Sequence, residues 1–380
     1  MNRVSVLGLL LLAGSGLAAA QVPEVRLSRP AARYPHELSS ITGLVELPDG
    51  RVLVSDGIDE TLLRLDLRTM KTDTVGRTGS GPGEYKGPDL LFAQPGNGVL
   101  LVDLGNARLS FYDAALKYRE SAPIARGQPG AGMTMALPSA VDALGRLYFR
   151  PGGINPKADS GAILRWDRTR DRTDTVAMVK LGEMTVKTSG GANNRSVSSR
   201  SVPLSPEDVW SVAPDGRIVI VRAADYRVEW LTPGGGVVRG PANPWKPVPV
   251  RDADKREYAA DMRLSGVSMS VTSQNGQVSI RMGRGRPTGA LDEEEIPDLD
   301  WPATKPAVRS VRVSPAGDAW VERWVAAGSP RTFDVFGADG KLKQRVTLPA
   351  GRSLIGFGKG AVYLRERTED DLVYLERYTL

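Results

Sequence analysis

The chain is 380 residues long, 41% hydrophobic and 25% charged, with a formal net charge of +6, one histidine and no cysteine. These proportions are ordinary for a globular protein, and the missing thiols exclude disulfide staples, thiol catalysis, cysteine-ligated metal and an acylated-cysteine anchor. Acids are interspersed among the bases with no concentrated basic stripe, so nucleic acid is not an expected partner.

The first element is a leader. Asn2 and Arg3 form a short basic start, residues 4–12 are apolar, and Ala18, Ala19 and Ala20 precede Gln21 in an A-x-A cleavage pattern. Gly8, Gly14, Ser15 and Gly16 interrupt an apolar stretch too short to span a bilayer comfortably, so cleavage is expected over retention as an anchor. Residues 1–20 therefore read as a removed signal peptide and 22–380 as a single exported domain. The expected product is periplasmic or secreted, monomeric, and not inserted in a membrane; loss of Arg3 lowers its charge from +6 to +5.

From residue 48 onward one pattern recurs six times: a glycine turn, then a run of Val, Leu, Ile or aromatic residues. The first copies are Pro48-Asp49-Gly50-Arg51-Val52-Leu53-Val54, Gly96-Asn97-Gly98-Val99-Leu100-Leu101-Val102 and Gly145-Arg146-Leu147-Tyr148-Phe149. The later ones are Asp215-Gly216-Arg217-Ile218-Val219-Ile220, Gly317-Asp318-Ala319-Trp320-Val321 and Gly360-Ala361-Val362-Tyr363-Leu364. Gly50, Gly98, Gly145, Gly216, Gly317 and Gly360 are placed to supply the positive φ of a tight hairpin. The runs after them suit strands. A further strand follows each turn, at 62–66, 109–113, 163–167, 228–231, 333–336 and 372–376.

The turn glycines lie 48, 47, 71, 101 and 43 residues apart. Periods of about 40–50 residues with several strands each indicate propeller blades. Six copies predict an all-β, six-bladed β-propeller with insertions at 182–202 and 246–305. The first insertion is rich in Ser, Asn and Gly and reads as a mobile loop. The second holds the one short helix, between blades four and five, expected over 255–264 with Asp254 as N-cap, Glu257 three residues on, and Ser265-Gly266 ending it. Tyr258 and Met262 form an apolar pair expected on the propeller rim, and 292–295, near Asp298 and Asp300, reads as a solvated acidic loop. Only two strands remain after Gly360, so the alternating segment Glu24-Val25-Arg26-Leu27-Ser28 is expected to complete the last blade and remove an open edge.

Val102-Asp103-Leu104-Gly105-Asn106-Ala107-Arg108-Leu109-Ser110-Phe111-Tyr112-Asp113 resembles the core of an NHL repeat, and 54–66 is a degenerate second copy. Gly79-Ser80-Gly81-Pro82-Gly83-Glu84-Tyr85 is similar to a connection of bacterial six-bladed propellers. The resemblance is to the NHL-repeat-like bacterial propeller family, and it implies a fold more than an activity, since such propellers include binding modules, lactonases and lyases.

The glycine turns are short, and the long segments fall on the opposite face, at 77–85, 127–135, 151–160, 182–202 and 241–306. Function concentrates in loops on a rigid scaffold, so this is the expected binding face. Counting along the strands after the turns places Arg150, Arg222, Arg323 and Arg365, with Asp103, near one ring of positions suited to a carboxylate or phosphate. Internal pairing with acids is the alternative role of these arginines, and satisfaction of backbone amides that of Asp103 and Asn106. The lone His36 lies outside the blade loops and no G-x-S-x-G elbow exists, which argues against a serine triad; histidine-rich metal and haem sites fail on the same count. The favoured function is a non-catalytic module, without cofactor, binding a peptide, glycan or protein partner on the long-loop face. The alternative is a calcium-dependent lactonase or hydrolase of the gluconolactonase-like type, for which Asp103 and Asn106, then Asn155, Asn193 and Asn194, are the candidate ligands.

Overall fold

The computed structural model describes residues 22–127, 134–151, 158–189, 196–265, 267–274, 277–284, 296, 299–368, 370 and 372–380. Residues 1–20, expected to be a leader, and Asn155, Asn193, Asn194, Gly266, the run 292–295 and Asp298 lie outside the described residues.

Six antiparallel sheets follow one another along the chain. Blade one runs outward from Gly43–Glu46 through Val52–Asp56 and Thr61–Asp66 to Lys71–Thr74, and blade two from Pro88–Gln94 through Gly98–Asp103 and Arg108–Tyr112 to Tyr118–Pro123. Blades three and four begin at Ala140–Val141 and Val209–Val212 and end at Arg172–Lys180 and Val237–Ala242. Blade five spans Val308–Val313 to Leu342–Thr347, and blade six is built on Arg352–Gly358, Ala361–Arg367 and Val373–Thr379. The expected six-bladed propeller is the fold observed.

The second strand of each blade explains why the apolar runs are unbroken. Each blade packs a neighbour on both faces, so successive residues of the apolar run, which point to opposite sides, are buried alike, and only polar strand ends are part-exposed. In blade one Val52 and Val54 join a cluster with Tyr363 and Leu375 of blade six, while Leu53 packs with Leu91, Val99 and Leu101 of blade two. The alternation continues round the ring: Leu100 and Val102 pack with Leu147 and Phe149, Tyr148 with Ile218 and Ile220, Val219 and Val221 with Ala319 and Val321, and Trp320 with Val362 and Leu364. Each blade junction thus has its own core. Full burial of one such side chain stabilises the fold by about 1.5–3 kcal/mol.

The middle of the third strand carries a second repeat. Arg64 lies opposite Asp73 on the outer strand, Arg165 opposite Asp174, Glu229 opposite Arg239, Asp334 opposite Arg345 and Glu376 opposite Arg33. The acid is on the third strand in blades four to six and on the outer strand in blades one and three. Blade two has Ser110 opposite Ser121 instead.

Ring closure uses the N-terminus, through different residues from those expected. Ala32–Arg33 is the antiparallel outer strand of blade six, whereas Glu24–Arg26 adds to blade five as a fifth strand, parallel to Leu342–Thr347. Blades one and six are joined further by Glu46, whose carboxylate accepts from the Tyr363 hydroxyl at 2.5 Å and the Lys359 amide at 2.9 Å.

The turn glycines Gly50, Gly145, Gly216, Gly317 and Gly360 have positive φ. Gly98 does not. Its φ is −72°, and the left-handed residues of that turn are Gly96 at 68° and Asn97 at 61°. Gly98 is required for a different reason, since a Cβ there would lie 2.7 Å from the Tyr112 carbonyl oxygen.

Both insertions contain strands. Met184–Ser189 and Ser196–Ser201 pair as a hairpin where a loop was expected. In the second insertion Val248–Pro249 pairs Thr304–Lys305, bracketing helix α1 (Asp252–Ser265) and a hairpin of Val267–Gln274 and Gln277–Arg284. The helix starts three residues before the expected Lys255. Asp254 is accordingly not the N-cap. It sits in the first turn and accepts from the Arg251 amide at 2.9 Å, the capping-box contact made from inside the helix. No helix among the described residues is long and apolar enough to cross a membrane.

Candidate functional site

Each inner strand starts, and each second strand ends, on the same face of the ring, and both insertions rise from that face. Helix α1 is fixed there to blade five. The Lys305 ammonium donates to Asp254 at 2.7 Å and to the Val325 carbonyl at 2.7 Å, with both charged side chains 2% exposed. Asp254 also accepts from the Ala327 amide, Glu257 from the Gly328 amide, and Asp261 from the Arg309 guanidinium. Burial works against the Asp254 charge, but Lys305 and the two amides prevail and hold its pKa below the ordinary 3.8. Tyr258 meets Trp301 edge-on at 5.5 Å and Trp324 at 6.4 Å, so it packs within the insertion and against the end of blade five's second strand, not on the rim as expected, while Met262 is exposed. The insertion then crosses the face, because Met282 of its hairpin packs against the core shared by blades two and three. The first insertion touches it where Thr185 donates to Asp300 at 3.3 Å.

Beside this anchorage a cleft of about 640 Å³ opens on the long-loop face. Its walls come from three places: Arg323 to Pro330 after the second strand of blade five, Lys246 to Pro249 at the root of the insertion, and the outer edge with Arg345, Thr347 and Arg26. A second cleft of about 340 Å³ lies on the turn face between blades two and three. Its cations are already engaged, Arg168 with Glu120 and over the Phe111 ring at 3.5 Å, and Arg119 with Asp113 at 3.8 Å.

The four arginines expected in one ring do not share a site. A second-strand end lies one strand away from the axis, and its side chain settles against its own blade. Arg222 is bound at 2.8 Å by both Asp208 and Glu229. Arg365 donates to Ser353 at 3.2 Å within blade six, and Arg150 is exposed at the end of its strand. Arg323 alone of the four lines the larger cleft. Asp103 is fully buried, with Oδ1 accepting from the Lys86 amide and Oδ2 from Asn106 and Arg108, all at 2.8 Å. Burial still lifts its pKa above 3.8. The Asn106 amide nitrogen also donates to the Gly79 carbonyl at 2.9 Å, and its oxygen accepts from Ser80 at 2.9 Å. Together these bonds fasten the 79–85 connection to blade two.

Sequence reasoning missed Trp324, Lys246 and Arg26. Trp324 had a signal, since it directly follows Arg323; the other two reach the cleft only through the pairing of distant segments.

No protein-family model matches the chain, and no curated protein does. Solved structures are similar to it at low identity. A DUF4221 family member from Bacteroides vulgatus is 8% identical over 94% of this chain and 96% of its own, with a TM-score of 0.49. A gluconolactonase from Xanthomonas campestris is 12% identical over 95% and 96%, with a TM-score of 0.41. Virginiamycin B lyase from Staphylococcus aureus is 11% identical over 91% and 82%, with a TM-score of 0.39. Such likeness concerns fold and carries no activity to this chain.

Proposed function

We propose that the chain is an exported, non-catalytic, NHL-like propeller that binds a peptide, glycan or protein partner on its long-loop face. The observation that supports this is the cleft beside blade five, which is of ligand-site size, is walled by strand ends and the insertion root, and holds Arg26 and Lys246, which have no ion-pair partner among the described residues. The calcium-dependent lactonase reading is less well supported, because Asp103 and Asn106 are closed around the blade-two connection with the Arg108 guanidinium at 2.8 Å, which disfavours a divalent ion.

Thermal-shift screening of the mature chain against sugars, lactones and peptides tests the proposal. A ligand at a hundred times its Kd stabilises the native state by about 2.7 kcal/mol. Trp324→Ala is expected to abolish the shift while lactones are returned unchanged. Calcium-dependent lactone turnover, or a shift indifferent to the Trp324 substitution, would refute the proposal.

A further inference from the structure

The chemistry of the cleft narrows the ligand, resting on the binding reading above. Arg323 is the key residue. Its side chain is 21% exposed, its Nε is buried without a hydrogen-bond partner, and among the described residues its guanidinium donates no hydrogen bond at all. The nearest acid is Asp334, 3.7 Å from Nε. Asp334 is already satisfied, by the Tyr226 hydroxyl at 2.6 Å and Arg345 Nε at 2.8 Å. The carboxylate therefore holds the guanidinium in place by charge and leaves its donors free. A part-buried planar fork with unused donors at a cleft wall matches an incoming carboxylate.

The surroundings reinforce an anion and specify its body. Arg26 and Lys246 line the same cleft, are exposed, and have no ion-pair partner among the described residues. Trp324 forms a wall, held from within the protein by Arg309 at 4.5 Å from the ring centroid and by Tyr258. Ser329, Thr332 and Thr347 line it among the apolar residues Pro247, Val248, Pro249, Val325, Ala326 and Pro330. An indole platform, apolar walls with three hydroxyl-bearing residues and a guanidinium fork together suit a sugar bearing a carboxylate. We infer that the cleft binds an acidic glycan of the uronic-acid type, with the carboxylate on Arg323 and a sugar face on Trp324.

Titration calorimetry of the mature chain with a uronic-acid trisaccharide, its neutral reduced counterpart and an aromatic carboxylate tests this. The acidic trisaccharide should bind, and the neutral one at least tenfold more weakly. Arg323→Ala should weaken the acidic trisaccharide at least tenfold with the fold intact by circular dichroism. Arg323→Lys should recover little, since it keeps the charge and loses the fork. Lys246→Ala should give a smaller loss that shrinks as salt is raised. Equal binding of the neutral sugar, tighter binding of the aromatic acid, or indifference to Arg323→Ala overturns the inference. The first two leave the cleft as a binding site; binding of none of the probes also overturns the inference, and the broader reading is then decided by the thermal-shift screen with peptides and Trp324→Ala.

Discussion

Asp254 and Lys305 form an ion pair with both side chains almost wholly removed from water, and the pair ties helix α1 to the blade-five sheet. Removing one partner strands a charge in low dielectric, so Asp254→Asn is expected to cost about 3–5 kcal/mol, and replacing both by apolar residues should not restore it fully, since the Arg251 and Ala327 amides and the Val325 carbonyl then lose their partners. Urea denaturation of the single and double variants checks this. The pH dependence follows from the depressed pKa of Asp254. A carboxylate whose folded pKa lies below its unfolded value contributes its stability above the unfolded pKa and loses it as pH falls through the folded one. The gap between wild type and Asp254→Asn should therefore be full at neutral pH and close below 3.8; a gap that widens in acid would contradict the assignment. The sequence marks Asp254 as a capping residue but cannot show its partner, because Lys305 arrives by the pairing of Val248–Pro249 with Thr304–Lys305. Arg323 shows the same limit: its place at a strand end is legible, but which way its guanidinium turns depends on Asp334 being occupied by Tyr226 and Arg345.

Among elements, the second and third strands were legible because their apolar runs register a blade packed on both faces. The inner strand of blade three, Ala140–Val141, is only two residues long and has no such run. The closing strand was misplaced for a similar reason. Glu24-Val25-Arg26 alternates and Ala32-Arg33 is too short to show a period, yet it is Ala32-Arg33 that pairs the last strand, with Arg33 donating to Glu366 at 2.9 Å and lying opposite Glu376. That last placement belongs to the repeated outer pairing, where directly opposite charges contribute about 0.2–1 kcal/mol each. Arg64→Asp should destabilise blade one by about that amount through repulsion from Asp73, and the exchanged pair Arg64→Asp with Asp73→Arg should restore it, as blades four to six already carry the acid on the third strand. A double variant no more stable than the single one would show that the pairing is incidental. Gly98→Ala should be costly by steric contact with the Tyr112 carbonyl, about 1–3 kcal/mol.

For the whole molecule, the N-terminal segment closes the ring and the second insertion spans it. Deleting residues 22–33 uncovers the outer edges of blades five and six together, and the truncated chain is expected to melt lower and to associate through those edges, as sedimentation would show. Met282→Asp should free the hairpin from blades two and three with little change in the melting of the ring, because that contact lies on the surface of one junction core. The long-loop face was legible from insertion lengths alone; the cleft within it was not, since three separated segments build it. Hydrogen exchange of residues 22–380 with and without a saturating acidic trisaccharide tests the central claim most directly. The account predicts added protection at 246–249 and 323–332, with the turns at Gly50, Gly145 and Gly216 unchanged; protection confined to those turns, or to the connection around Asp103, would contradict it.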